Sequence, residues 1–242
     1  MLFPMGQEDT IFIVLILIVF ALSLAAQSRV QNVFRRYADT PAASGKTGSR
    51  IARELLAAKG SAAREEHDEM GRAARVESIT GHLTDHYDPR THVVRLSPEV
   101  ANGTSVSAAA IAAHEVAHVL QYEEEYLPIK LRGAILPVAQ IGSQAGPILV
   151  FVGLIFSLTP ILALVGVGLY TFAVLFQVAT LPVELNASRR AMKLLADGGY
   201  ISREQEPQAR KMLRAAASTY VLAALASFVT LLRLIMLSRR RR

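Results

Sequence analysis

The sequence predicts a mainly α membrane protein, with about four transmembrane helices and a small α+β domain between the first and second spans. Three observations carry this prediction. Of 242 residues, 52% are hydrophobic and only 19% charged. The apolar residues are clumped rather than dispersed as a soluble core would disperse them. From Gly133 to Val183 the chain runs for 51 residues without an Asp, Glu, Lys or Arg.

The spans follow in order. A hydrocarbon core about 30 Å thick needs about 20 apolar residues of helix. Residues 10–26, 134–157, 161–182 and 215–237 approach or meet that length. As one helix the 51-residue run would measure about 76 Å at 1.5 Å per residue, far more than one crossing uses. It is expected to be a two-span hairpin over 134–182, broken at Ser157-Leu158-Thr159-Pro160, with Gly146-Pro147 as a rival kink or turn. The first segment has Glu8 and Asp9 before it and Arg29, Arg35 and Arg36 after it. A secretory signal has the reverse polarity, so residues 10–26 read as an uncleaved anchor.

Lys and Arg number 14 between the first and second spans and 7 between the third and fourth, against the four of Arg239–Arg242. The positive-inside rule therefore expects the polar regions in the cytoplasm of a multi-pass cell-membrane protein. The basic tail, 238–242, argues the other way if the last segment crosses completely; the alternative is a re-entrant or interfacial segment. Adhesion to anionic lipid heads explains such a tail better than nucleic-acid binding, for which no motif is present.

Residues 28–132 hold 14 basic and 14 acidic residues, a globular balance. A helix is expected from Thr47 to Lys59, capped near Thr47, with Ile51, Leu55 and Leu56 on one side and Gly60 as its stop. Arg72–Ile79 and Thr91–Leu96 carry short β-branched runs and suggest an antiparallel pair around a turn-rich 81–89. After Ser97-Pro98 an Ala-rich helix is expected over 107–122, capped by Ser105 or Ser107. A polar helical segment, 183–214, separates the hairpin from the last span.

The 107–122 helix contains His114-Glu115-Val116-Ala117-His118. Four-residue spacing puts both imidazoles on one face, one turn apart, where their nitrogens can hold one divalent ion. Glu115 beside them can reach water held by that ion, which makes it the candidate general base and acid. Zero cysteine removes disulfide scaffolds, thiolate zinc sites, iron–sulfur clusters and cysteine nucleophiles, leaving nitrogen and oxygen ligands.

A hydrolytic zinc site needs a third protein ligand and an open fourth position. Glu184 is the first charged residue after the 51-residue run. The histidine helix leads into the second span, so two crossings return the chain to the same membrane face, where Glu184 can meet His114 and His118. The alternative for Glu184 is an interfacial carboxylate paired with Arg189 or Arg190.

Leu83-Thr84-Asp85-His86-Tyr87-Asp88-Pro89, Val94-Arg95-Leu96-Ser97, the segment His114–Gln121, and Leu181–Ala191 (LPVELNASRRA) together resemble the YugP-like neutral zinc metallopeptidases of bacterial membranes. The resemblance runs from about Ser44 to Leu232. It implies a multi-pass zinc peptidase, related in plan to HtpX-type membrane proteases, with a zincin-like domain, one Zn2+ per chain and Glu184 as third ligand. In those relatives an aspartate lies four residues beyond the glutamate; here that position is Ser188, whose hydroxyl is a weaker support for a zinc histidine.

Four further residues are candidates around the metal. His86 or Tyr87 could donate to an oxyanion, Asp85 or Ser188 could support a zinc histidine, and an Asx-type turn before Pro89 is the bland alternative. Thr91–Leu96 is either an edge strand for an extended peptide or a core strand. His67, His82 and His92 are expected at the surface, and Glu123-Glu124-Glu125 at a solvated helix end. The expected activity is hydrolysis of peptide bonds in membrane-associated or misfolded proteins; the alternative is a non-catalytic, zinc-stabilised membrane scaffold or adaptor. The expected partners are a protein or peptide substrate and the lipid bilayer.

Overall fold

The computed structural model describes residues 7–58, 74–155 and 160–239. Gly60, His67, the first residues of the Arg72–Ile79 segment, positions 157–159 of the expected hairpin break and positions 240–242 of the basic tail lie outside the described residues. The elements are α1 (Gln7–Arg36), α2 (Gly48–Ala58), β1 (Arg75–Ser78), β2 (His86–Asp88), β3 (Val93–Leu96), α3 (Pro98–Asn102), α4 (Val106–Glu123), α5 (Leu127–Ile155), α6 (Pro160–Asp197) and α7 (Glu206–Arg239). The protein is mostly helical with one small sheet. Among the described residues, four helical stretches are long and apolar enough to cross a membrane: Asp9–Arg36, Leu127–Ile155, Ile161–Asp197 and Glu206–Arg239.

The chain divides into two compact units. The first comprises Met1–Gln27, Leu127–Pro182 and Ser218–Arg242. Here α5 and α6 pack through small residues. A Cβ on Gly142 would lie 2.0 Å from the carbonyl oxygen of Leu169, and one on Gly146 would lie 2.9 Å from that of Gly166. This is the close backbone approach that membrane helices achieve with Gly four residues apart. Gly146-Pro147, the rival turn, sits inside α5, which continues to Ile155. α6 begins at Pro160, where a missing N–H costs nothing in a first turn. Arg233 on α7 pairs with the buried Asp9 of α1 at 2.7 Å and lies over the ring of Phe12. Ile11, Leu17, Phe20, Ile148, Ile155 and Ile161 are all more than half exposed, as lipid-facing side chains are.

The second unit comprises Ser28–Tyr126 and Val183–Ala217. α2 begins where Thr47 was expected to cap it: the Thr47 hydroxyl accepts from the Arg50 N–H, and Ile51, Leu55 and Leu56 are buried. In α4 the cap is Ser105, whose side chain accepts from the Ala108 N–H, while the buried Ser107 hydroxyl donates to the Phe34 carbonyl. The Ala-rich body of α4 lets neighbouring elements approach closely, and its inner face is fully buried. α6 runs on through Pro182 to Asp197, and the chain then turns at Gly199, whose φ of +64° suits glycine after a helix end.

The sheet corrects two expectations. Its order is β1-β3-β2, with β1 parallel to β3 and β2 antiparallel to it. The Asp85–Pro89 turn thus supplies a strand of its own. β2 folds back onto one side of β3, and β1 pairs with the other side, parallel to it. Central β3 buries Val93, Val94 and Leu96, so the core-strand reading holds and the substrate-edge reading of Thr91–Leu96 does not. The turn between β2 and β3 is an Asx turn: Asp88 accepts from the Arg90 N–H, the Thr91 hydroxyl and Arg95.

Candidate metal centre

α4 carries His114 and His118 on one face, and α6 brings Glu184 against them. Nε2 of His114 lies 3.3 Å and Nε2 of His118 lies 3.5 Å from Oε2 of Glu184. One ligand atom from each residue falls within a 4.8 Å cluster. The rings meet edge to face with centroids 4.8 Å apart. Glu184 is 2% exposed, so its carboxylate is removed from solvent that would otherwise screen it.

The hydrogen bonds around this cluster decide which nitrogens are available. The Gln121 amide nitrogen donates to the Val183 carbonyl and to Asn186 Oδ1, both at 2.9 Å. Its oxygen therefore faces His118 and accepts from Nδ1 at 3.0 Å. With the proton on Nδ1, the Nε2 lone pair of neutral His118 points at a carboxylate oxygen. Two acceptors facing each other need a cation between them, either a proton or a metal ion. The donor set of two imidazoles and one carboxylate is that of a hydrolytic zinc site, so the residues fit the ion. His114 Nδ1 is buried without a hydrogen-bond partner among the described residues.

Burial works against the charged form of His118. The Glu184 and Glu115 carboxylates and the bond to Gln121 outweigh it and raise the pKa above the ordinary histidine value. Glu115 is buried and lies close enough to His118 and Asp85 for its charge to act on both.

The other predicted residues are distributed around this centre. Asp85 accepts from the Ser97 N–H and hydroxyl at 2.7–3.0 Å. Burial pushes its carboxyl up, against those bonds, and the Glu115 charge adds to the rise. His86 is exposed, its Nδ1 2.8 Å from the Thr84 carbonyl. Tyr87 bonds through its hydroxyl to His92 Nδ1 at 2.6 Å. The Ser188 hydroxyl makes no hydrogen bond among the described residues.

His92 is buried, contrary to the surface position expected for it, because the backbone turn at φ +54° tucks its ring against Tyr87. His82 is exposed and bonds to Glu99. Glu184 meets the histidines and not Arg189 or Arg190. Arg190 instead bonds Asn186 at 2.7 Å and Glu124 at 2.6 Å, so Glu124 is paired rather than merely solvated.

Sequence reasoning missed Gln121 and Asn186. The signal for Gln121 was its place three residues after His118, on the same helix face. Asn186 offered none, because its role depends on α4 and α6 meeting.

The family described as "Putative neutral zinc metallopeptidase" matches residues 12–239. The "Putative membrane protease YugP" of Bacillus subtilis (strain 168) is 41% identical over 227 residues, covering 94% of this chain and 96% of the relative. No solved structure matches the chain.

Proposed function

The chain belongs to the family described as "Putative neutral zinc metallopeptidase", and on that premise we propose that it is an integral membrane endopeptidase whose zinc is held by His114, His118 and Glu184. The single observation that carries this reading is the convergence of two Nε2 atoms and one carboxylate oxygen within 4.8 Å. Bound zinc lowers the pKa of water to about 7 and polarises a carbonyl.

The protein residues supply the rest. Gln121 holds the His118 proton on Nδ1 and so leaves Nε2 free to ligate. Glu115, next to His114 in the chain, takes the proton from attacking water and delivers it to the leaving amine. The small α+β domain between the first and second spans is zincin-like in plan, with β3 packed beneath α4. The excess of Lys and Arg in 28–132 and 183–214 favours a site at the cytoplasmic membrane face. Membrane-associated or misfolded proteins are the substrates that such a position suits.

The test compares purified wild type with Glu115→Gln on an unfolded protein substrate, with zinc content measured on both. The expected loss of cleavage is about 100- to 10,000-fold with zinc retained. Equal cleavage by both proteins would remove Glu115 from the chemistry and leave the zinc-stabilised scaffold as the better reading.

A further inference from the structure

Outside the metal centre lies a strongly charged cavity whose cations come from distant parts of the chain. It has a volume of about 420 Å³ and is lined by Arg29, Arg203, Arg210, Lys211 and Arg214, together with Glu206 and Pro207. Five cations thus face one carboxylate. Glu206 reaches Arg210 only at 3.9 Å; Arg29, Arg203, Lys211 and Arg214 have no acidic partner among the described residues. The first turn of α7 also lines the cavity, and its helix dipole adds positive potential. Like charges gathered at this density repel unless an anion joins them.

The identity of that anion follows from where the cations stand along their helices. Arg29 is the first charged residue after the uncharged stretch 10–28 of α1, and Arg214 is the last before the uncharged stretch 215–232 of α7. Each stretch is close to the length of about 20 residues that spans a hydrocarbon core, so its bordering cations belong at headgroup depth. We propose that this cavity binds the phosphate of an anionic phospholipid headgroup and joins the end of α1's apolar stretch to the start of α7's. General attraction to a basic membrane face needs no such convergence; here residues some 180 positions apart in the chain line one cavity. Guanidinium forks suit the paired oxygens of a phosphate, and four of the five cations are Arg.

The test uses the purified full-length protein in vesicles of equal phosphatidylglycerol and phosphatidylcholine, with spin-labelled lipid reporting which of the two is immobilised. Wild type is expected to prefer phosphatidylglycerol. Arg29→Gln with Arg214→Gln should lower that preference by about fivefold for each cation removed. Arg29→Lys with Arg214→Lys should retain most of it. Arg35→Gln with Arg36→Gln, which removes two cations of the same helix outside the cavity, should leave it unchanged. An equal loss in the Arg35/Arg36 pair, or no loss in the Arg29/Arg214 pair, overturns the proposal. Circular dichroism and a monodisperse elution profile establish that each variant is folded. A final arm adds millimolar inorganic phosphate against chloride of matched ionic strength. Persistence of the lipid preference supports a headgroup ligand, and its abolition by phosphate alone assigns the cavity to a soluble phosphate and overturns the lipid assignment.

Discussion

His118 Nδ1 and Gln121 Oε1 lie 3.0 Å apart on one face of α4, and the Gln121 side chain is fully buried. The bond is one link of a relay that continues through Asn186 to Arg190 and ends at the Arg190–Glu124 ion pair. Each member fixes the orientation of the next, so the tautomer of His118 is set by contacts between α4 and α6.

Gln121→Met keeps the volume of that side chain and removes its hydrogen bonds. Zinc affinity, measured by competition with a chromogenic chelator, is expected to fall about 10- to 100-fold. Unchanged affinity would show that the tautomer of His118 does not depend on Gln121.

Glu184→Gln removes the carboxylate charge of the proposed ligand while preserving shape. Zinc stoichiometry after dialysis is expected to fall well below one per chain, with helical content intact. Full zinc occupancy in this variant would exclude Glu184 from the centre.

The metal-free protein should respond to pH through His118. Burial opposes the imidazolium, yet Glu184 and Glu115 raise its pKa above 6.5. The stabilisation this shift provides is complete below the unfolded pKa and is lost as pH rises through the folded one. Zinc held at Nε2, as proposed, would compete with the same proton, so stabilisation by added zinc should grow over that pH range. Melting curves with and without zinc from pH 5.5 to about 8.5 check both trends; a zinc effect that shrinks with rising pH would contradict them.

Asp88 provides a second pH signature. The Arg95 guanidinium at 2.7 Å, aided by Thr91 and the Arg90 N–H, holds its carboxyl down to about 2. Its contribution to stability is present above the unfolded value near 3.8 and is lost as pH falls toward 2. Asp88→Asn should cost about 1–2 kcal/mol at neutral pH, a range discounted for partial exposure. The gap between variant and wild type should close below pH 4, as chemical denaturation at several pH values would reveal.

Gly142→Ala tests the packing of the membrane unit. Its Cβ would stand 2.0 Å from the Leu169 carbonyl oxygen, a backbone atom that cannot rotate away. Separation of α5 and α6 is expected to cost about 1–3 kcal/mol in detergent-solubilised unfolding. Gly133→Ala, where a Cβ meets nothing within 4 Å, serves as the control.

What the sequence determined by itself was local or periodic. Four apolar stretches of about 20 residues required helices, because a helix satisfies its backbone within a single segment in hydrocarbon. Four-residue spacing placed His114 and His118 on one face, since 3.6 residues make a turn. The approach of Glu184 followed from counting two crossings, a topological parity that needs no side-chain detail. The tertiary structure alone decided that β1 runs parallel to β3, that β3 is central and that His92 is buried. It also recruited Gln121 and Asn186 around His118 and gathered Arg29 with Arg203–Arg214. The pairing of β1 with β3 spans 18 residues of chain, the Gln121–Asn186 bond 65, and the charged cavity up to 185. Such long-range pairings are fixed by shape and burial in the folded unit, which local periodicity along the chain does not report.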